Sequence, residues 1–337
     1  MSPRCILGTL LLSACSLQHT PRPAPLSDDH AAHMGAADLM APVAGSGAGA
    51  AFQQGTPGLP PSSLSAPGRL TASPRHGEWV TIALEPGSSD SVMAWVVYPA
   101  SGKKAPVVVV VHEIFGLSTW VRGVADQVAA EGFIAIAPDF LSRVRGGPTS
   151  IELSGDSARR LIGQVNSTER NRIILGAANW AMTQPSATQK YAVIGYCWGG
   201  QTTFMHAIHG GVEGFSGGVA FYGLPYTSGG SPATATAAAV PATIVADSLA
   251  RIKEPLLLLN GSKDARIAAA MPALDSMMKA LHKTYTGVNY EGAVHGFLRA
   301  QDDPKAQRDE AEEQANLTAA KDAWPRTVAF LKKRLGM

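Results

Sequence analysis

The chain has 337 residues, of which 45% are hydrophobic and 16% are charged, and this length suits one large domain with appendages. The formal net charge of +2 gives no field that would attract nucleic acid, so no nucleic-acid partner is expected. The apolar runs are all shorter than the ~18 residues of a membrane-spanning helix, which excludes an ordinary transmembrane helix.

Residues 1–15 have the pattern of a targeting segment. Arg4 supplies a positive charge, Ile6–Leu12 forms a short apolar core, and Leu12-Ser-Ala-Cys15 resembles the lipobox of bacterial lipoproteins. In that class the signal peptide is cleaved before the cysteine, which carries the lipid. We therefore predict a lipidated Cys15 and a lipid-anchored protein of the bacterial cell envelope, in the periplasm or at the outer membrane. The alternatives are an ordinary secretory signal, hence a secreted protein, or a cytosolic start with an incidental cysteine.

The next segment, residues 16–75, is rich in Ala, Pro, Gly and Ser, and Phe52 is its one aromatic residue. Such a composition cannot bury enough apolar surface to offset the entropy lost on ordering. We predict a disordered tether with a reach of about 45 Å. It would hold the following domain away from a membrane surface.

Residues 76–337 alternate between patterns of strands and helices. Strands are predicted at Trp79–Leu84, Val92–Pro99, Pro106–Val111, Phe133–Ala137, Tyr191–Gly195, Gly217–Tyr222, Pro255–Asn260 and Tyr285–Tyr290. Helices are predicted at Thr119–Glu131, Thr168–Thr183, Gln201–His209, Ala265–Leu281 and Trp324–Leu335, the last entered or kinked at Pro325. Continuous apolar strands and strand–helix–strand units predict an α/β class, with a mostly parallel central sheet flanked by helices.

Three segments of this domain have weaker patterns. Residues 141–168 are polar and irregular and predict a lid or a short helix near Asp156–Ile162. Residues 225–250 are low in complexity and are interpreted as an insertion. The charge run Pro304–Gln314 predicts a solvated face.

The most informative stretch runs from Gly195 to Gly200, where Cys197 directly follows a strand and precedes a helix. This is the layout of a nucleophile elbow, with Cys in place of the usual Ser. Flanking glycines such as Gly199 allow the strand and the helix to pass closely around a strained turn. The helix N-terminus favours a thiolate. The alternative is a buried structural cysteine, which a downstream acid and base would argue against.

An acid and a base do follow in order, each after a predicted strand: Asp264 and then His295. The order nucleophile, acid, base is that of α/β-hydrolases. His295 would accept the proton of Cys197 and return it to the leaving alkoxide, and Asp264 would orient the imidazole. The N–H of Trp198 would supply one half of an oxyanion hole, and the loop after Pro106–Val111 the other.

The domain resembles the dienelactone hydrolase family, the carboxymethylenebutenolidases, within the α/β-hydrolases. The resemblance extends from about residue 76 to the end of the chain. The stretches that carry it are His112–Gly116, Ala137–Phe140, Gly195–Gly200, Asn260–Asp264, His295–Phe297 and Ala323–Phe330.

This resemblance implies further site residues. Glu113 matches a glutamate beside the nucleophile that helps to deprotonate it when substrate binds, and that pairs with Arg299 in the resting enzyme. Ile114 matches the second oxyanion donor, the partner of Trp198. Arg299 and a second arginine, Arg159 or Arg160, would bind a carboxylate of the substrate.

The resulting hypothesis is a cofactor-free and metal-free hydrolase of small ester or lactone substrates that forms an acyl-thioester at Cys197. The alternatives are a general carboxylesterase or deacetylase, and a non-catalytic binding lipoprotein on the same fold. A metalloenzyme is disfavoured because His112-Glu113 lacks the second histidine of a His-Glu-x-x-His motif. The sequence predicts no particular oligomeric state.

Overall fold

A computed structural model of the chain describes residues 55–149, 153–229, 243–301 and 309–337. The predicted signal peptide, Cys15 and most of the predicted tether lie outside these residues. The strands of the described part are β1 (Gly77–Ala83), β2 (Ser91–Val97), β3 (Ala105–Val111), β4 (Ile134–Pro138), β5 (Ala187–Tyr196), β6 (Phe215–Phe221), β7 (Thr227–Ser228), β8 (Thr243–Ile244), β9 (Leu256–Gly261) and β10 (Tyr285–Tyr290).

Most of the helices connect these strands, and in the described residues one helix precedes the first strand and two follow the last strand. In the described part they are α1 (Ala66–Thr71), α2 (Thr119–Ala130), α3 (Ser142–Arg145), α4 (Gly155–Ile162), α5 (Ser167–Met182), α6 (Trp198–His209), α7 (Ala246–Ala250), α8 (Ala265–Ala280), α9 (Phe297–Ala300) and α10 (Glu310–Leu335). None of these helices combines the length and the apolar composition that a bilayer-spanning segment needs.

One large sheet organises the molecule. Its strand order is β1-β2-β4-β3-β5-β6-β9-β10. Strand β2 is antiparallel to both of its neighbours, whereas every pair from β4 to β10 is parallel. The predicted class, an α/β-hydrolase fold with a mostly parallel sheet flanked by helices, is confirmed. Because parallel strands end at the same edge, this topology brings the loops after β3, β5, β9 and β10 together.

The centre of the sheet is built from continuous apolar strands, as the sequence predicts. All of β3 is buried, and so is the part of β5 from Tyr191 onward. Helices α2, α5, α6 and α10 pack against these strands. Strand β5 begins at Ala187, earlier than predicted. Its residues Thr188–Lys190, near the start of the strand, are polar and at least partly exposed, so they do not continue the apolar pattern on which the prediction depended.

The predicted boundary of the tether at residue 75 is wrong. Residues 55–75, here called the N-terminal strap, pack on the domain and include helix α1. Leu59 and Ala66 are buried. The carbonyl oxygen of Pro61 accepts a 2.8 Å hydrogen bond from the indole of Trp120. Because proline has no N–H, this Pro-rich segment can form fewer local backbone hydrogen bonds, and distant donors of the domain pair with the carbonyls of Pro60 and Pro61.

The closing helix is longer than predicted. Helix α10 begins at Glu310 and contains Pro325 within it. Asp309 caps its N-terminus by accepting from the backbone N–H of Glu312 at 2.8 Å. Glu312 is itself buried and pairs with Lys263 at 3.1 Å. The prediction of a solvated face is therefore wrong for Glu312, because Lys263, on the loop after β9, neutralises its charge.

The predicted insertion at 225–250 contains local structure on both sides of its undescribed part. Strands β7 and β8 form a small antiparallel pair, and α7 follows. The sequence predicts a lid or a short helix within residues 141–168, and helix α4 covers the expected Asp156–Ile162.

Candidate active site

The three residues that the sequence places after strands lie at one edge of the sheet. Cys197 follows β5, Asp264 follows β9, and His295 follows β10. Cys197 takes part in no disulfide within the described residues and is only 1% exposed. The residues can therefore be considered as one constellation.

The backbone at Cys197 has the conformation of a nucleophile elbow. Its φ is 56° and its ψ is −116°, a region in which non-glycine residues are strained. A Cβ on Gly195 would lie 2.0 Å from the carbonyl oxygen of Gly199, and one on Gly199 would lie 2.4 Å from that of Val111. Both positions therefore require glycine, because the first turn of α6 passes directly against β5 and β3.

Asp264 holds His295 through a short hydrogen bond. The imidazole Nδ1 lies 2.6 Å from the carboxylate Oδ2 of Asp264. The other carboxylate oxygen caps helix α8 by accepting from the N–H of Ile267 at 3.3 Å. Burial opposes ionisation of Asp264, but the charge and hydrogen bond of His295 outweigh it, so the pKa of Asp264 is lowered. The carboxylate is thus fixed and charged.

The two loops that carry Asp264 and His295 are joined by hydrogen bonds. The N–H of Lys263 donates to the carbonyl of Ala293 at 3.0 Å. The N–H of Gly292 donates to the hydroxyl of Ser262 at 2.8 Å. The buried side chain of Asn316, on α10, accepts from the N–H of Val294 at 3.0 Å. These contacts position the imidazole from both sides of the loop.

His295 also interacts with Cys197. Burial disfavours the charged ring, but the charge of Cys197, followed by that of Asp264, outweighs it, and the pKa of His295 is raised well above its ordinary value. The ring of Tyr222 packs beside the imidazole, with 4.9 Å between ring centroids. The arrangement favours transfer of the thiol proton to the imidazole.

Glu113 and Arg299 form a buried ion pair next to this constellation. The guanidinium Nη1 lies 2.8 Å from the carboxylate Oε2, and the side chains are 9% and 7% exposed, respectively. The guanidinium also lies over the ring of Phe115, 5.1 Å from its centroid. The pairing that the family resemblance implies is therefore present in this structure.

Ile114 lies on the loop that follows β3, and Trp198 directly follows Cys197 in the chain. Both are buried, and Trp198 is the first residue of α6. The close approach of Gly199 to the carbonyl oxygens of Val111 and His112 joins the β3 loop to the start of α6. This places the two proposed oxyanion donors on two adjoining backbone segments, as the oxyanion prediction requires.

The two candidate second arginines lie on helix α4. Arg159 is half-buried and pairs with Asp156 at 3.0 Å, whereas Arg160 is exposed. Burial favours Arg159 over Arg160 as a residue that faces the interior. A role for either in substrate binding stays a prediction.

Sequence reasoning missed two tyrosines of the site, Tyr196 and Tyr222. Both are fully buried, and in the described structure neither hydroxyl has a hydrogen-bond partner. Burial raises the pKa of each well above its ordinary value, and the nearby negative charge of Glu113 adds to the effect. Tyr222 has a positive φ of 40° directly after β6, and its place at the carboxyl end of a strand is the signal that could have identified it.

Arg170 was also missed, and the sequence carries no signal for it. It is 2% exposed on α5, and its guanidinium lies over the indole of Trp198 at 4.3 Å from the ring centroid. It donates to the side chain of Gln201 at 2.9 Å. Arg170 therefore helps to fix the first turn of α6, where the proposed donor of Trp198 lies.

No three His, Cys, Asp or Glu side chains in the described part of the chain are grouped so that they could hold a metal ion.

The sequence matches the model of the dienelactone hydrolase family over residues 92–335. A candidate carboxymethylenebutenolidase from Salmonella typhimurium is 29% identical over 216 residues, which cover 63% of this chain and 75% of that protein. Another from Synechocystis sp. is 27% identical over 263 residues, or 76% of this chain and 97% of that protein. A candidate dienelactone hydrolase structure from Klebsiella pneumoniae shares the fold, with a TM-score of 0.59, 24% identity, and coverage of 76% of this chain and 98% of that one.

Proposed function

This chain belongs to the dienelactone hydrolase family and is a hydrolase, and on that premise we propose that it cleaves small esters or lactones through Cys197, His295 and Asp264. The observation that carries the proposal is the elbow. A buried cysteine in a strained turn interacts with an imidazole that an aspartate orients at 2.6 Å. A purely structural cysteine would need none of these features.

In the proposed reaction, His295 takes the proton of the Cys197 thiol, and the thiolate attacks the substrate carbonyl carbon. The N–H groups of Ile114 and Trp198 stabilise the resulting oxyanion. Collapse of the tetrahedral intermediate breaks the bond to the alkoxide, which takes the proton from His295, and leaves a thioester on Cys197. Water, deprotonated by His295, then hydrolyses the thioester, and Asp264 stabilises the imidazolium at each stage.

We further propose that a carboxylate on the substrate is recognised by Arg299. The buried pair of Arg299 with Glu113 supports this, because an entering carboxylate would compete for the guanidinium and release Glu113. Burial raises the pKa of Tyr222, and the charges of Glu113 and Cys197 add to the effect, so both groups belong to the surroundings of the Tyr222 hydroxyl. A released Glu113 would then assist deprotonation of Cys197.

A substrate panel tests this recognition. In Arg299→Ala, kcat/KM for a dienelactone that carries a carboxylate is expected to fall about 100-fold, because a buried hydrogen bond between charged groups contributes about 1.5–3 kcal/mol. The value of kcat/KM for neutral p-nitrophenyl acetate is expected to fall much less, because this substrate has no carboxylate for Arg299 to bind. The exposed Arg326→Ala is the matched control, since Arg326 is 44% exposed and pairs with Asp322.

The truncation of Arg299 leaves Glu113 buried without this partner, so a second variant is needed. Glu113→Gln/Arg299→Ala removes both charges and is expected to fold like the wild-type protein while lacking any preference for the carboxylated substrate. An equal loss on both substrates would contradict carboxylate recognition. A wild-type preference for neutral esters would instead support a general carboxylesterase or deacetylase.

We propose, finally, that the protein is anchored to the bacterial cell envelope by a lipid on Cys15. The lipobox-like Leu12-Ser-Ala-Cys15 supports this. Metabolic labelling with palmitate should mark the wild-type protein and not Cys15→Ser, and the variant should move from the membrane fraction to the soluble fraction. Label retained in Cys15→Ser would contradict the proposal.

A further inference from the structure

The histidine at the end of β3 has no part in the proposed chemistry, and yet it is fully buried. His112 is 0% exposed. Its Nε2 accepts a hydrogen bond from the backbone N–H of Phe140 at 3.0 Å. Because this nitrogen accepts, the ring proton of the neutral imidazole lies on Nδ1. Nδ1 lies 2.5 Å from the carbonyl oxygen of Glu113 and therefore donates to it.

Burial keeps this imidazole neutral. It lowers the pKa of His112, against the opposing influence of Asp139, whose carboxylate lies 3.9 Å away, and of the Glu113 carbonyl. The neutral ring has one donor and one acceptor, and both are used. His112 is therefore a fixed link between the β3 loop and the start of the segment after β4.

The carbonyl that His112 holds belongs to the same peptide unit as the N–H of Ile114. None of the described peptide bonds is cis, so this planar trans unit directs its N–H opposite to its C=O. A hydrogen bond to the carbonyl thus fixes the direction of the Ile114 N–H. It also polarises the amide and makes that N–H a stronger donor.

The same ring touches the residue that supplies the other donor. The imidazole of His112 is stacked on the indole of Trp198, with 5.8 Å between centroids and 13° between planes. The ring of Phe140 packs edge-on against both of them, at 5.2 Å and 5.3 Å. His112 therefore contacts the peptide of one proposed oxyanion donor and the side chain of the other.

We propose that His112 is a positioning residue for the oxyanion hole. Its Nδ1–H holds and polarises the Glu113–Ile114 peptide, and its ring packs against Trp198, so that the two N–H groups are aligned before substrate arrives. The inference rests on the proposed function, because it concerns the charge that develops when Cys197 attacks. Preorganised donors of this kind act on the transition state far more than on substrate binding.

Two near-isosteric variants separate the donor role from packing. The amide of His112→Asn can place an N–H near the position of Nδ1 and keep the bond to the Glu113 carbonyl. The amide of His112→Gln reaches the position of Nε2, keeping the bond from Phe140 and losing the one to Glu113. Each variant loses one hydrogen bond and the ring stack, so the two are expected to unfold at similar temperatures.

We expect the two variants to differ in kcat. His112→Gln should lower kcat about 10- to 100-fold with KM nearly unchanged, since complete removal of an oxyanion donor costs about 10²–10³ in kcat. His112→Asn, which keeps the bond to the Glu113 carbonyl and, of the two contacts with the oxyanion donors, loses only the ring contact with Trp198, should lower kcat by a clearly smaller factor. The alkylation rate of Cys197 by iodoacetamide should be the same in both, because that reaction develops no oxyanion. Equal kcat in the two variants, or a loss confined to KM, would overturn the inference.

Cys197→Ala distinguishes this inference from the proposed function. If that variant keeps wild-type activity, the proposed function fails; if it is inactive and the two His112 variants are equal, only the role of His112 fails. A measurement on the wild-type protein covers the case in which neither variant folds. Nitrogen-15 NMR of the His112 ring should show a protonated Nδ1 and an unprotonated Nε2 across neutral pH, and the opposite tautomer would overturn the inference.

Discussion

Replacing Cys197 with alanine is expected to lower kcat/KM by about 10⁴-fold or more on every ester and lactone that the wild-type protein cleaves. The thiol is the attacking group of the proposed reaction, and the described structure offers no second nucleophile on the elbow. The remaining activity would come from the oxyanion donors and substrate binding alone. Steady-state kinetics with p-nitrophenyl acetate and a dienelactone measure the effect.

Stability serves as the control for this variant. Alanine at position 197 meets the same positive φ of 56° as cysteine, so the backbone strain is unchanged and the thermal unfolding midpoint should shift little. Activity within a few-fold of wild type in a folded Cys197→Ala would remove Cys197 from the reaction. It would also revive the interpretation of a buried structural cysteine.

Replacing Asp264 with asparagine is expected to lower kcat by about 10³–10⁴-fold, because the imidazole of His295 then loses its orientation and the partner of its cation. Asparagine is as good an N-cap as aspartate, so the hydrogen bond from Ile267 and helix α8 should persist. Single-turnover kinetics and circular dichroism measure the two parts of this expectation.

The same variant has a spectroscopic signature. The charge and hydrogen bond of Asp264 help to raise the pKa of His295, so that pKa should be lower in Asp264→Asn than in wild type. Cys197→Ala should also lower it, since the charge of Cys197 is the largest raising influence. NMR titration of the ring C–H of His295 measures the pKa. A value unchanged in both variants would show that the three side chains do not interact.

The parts of the fold that follow from local sequence were predictable. Strand β3 is mostly valine. A continuous apolar run of this kind is typical of a parallel strand buried on both faces, so the strand can be predicted without knowing its neighbours. The elbow could be predicted for a related reason. At Gly195 and Gly199 a Cβ would clash with the backbone, so the spacing of these glycines in the sequence indicates the tight turn of the elbow.

The N-terminal strap could not be predicted, because its stability depends on partners far along the chain. Pro60 and Pro61 present carbonyls, and the donors are Gln301 and Trp120, each at 2.8 Å. The strap has the composition of a disordered segment, and composition carries no information about hydrogen-bond partners that lie far away in the chain. The burial of Glu312 was not predicted for the same reason, since its partner Lys263 lies 49 residues away in the chain, on the loop after β9.

The residues of the candidate site that could be predicted are those indicated by their order in the chain or by the family resemblance. Cys197, Asp264 and His295 follow strands in the expected order, and the pairing of Glu113 with Arg299 was implied by resemblance. The supporting groups were not predicted. Tyr222 and Arg170 act through packing on His295 and Trp198, and contacts of this kind are set by tertiary structure alone.

The most direct test of the central claim is detection of the covalent intermediate. The protein is mixed with p-nitrophenyl pivalate, whose hindered acyl group is removed slowly, quenched in acid during turnover, digested and analysed by mass spectrometry. We predict a pivaloyl group on the peptide containing Cys197, in an amount equal to the burst of p-nitrophenol and absent from Cys197→Ala. Continued turnover with no acyl group on Cys197, or with the group on another residue, would contradict the account.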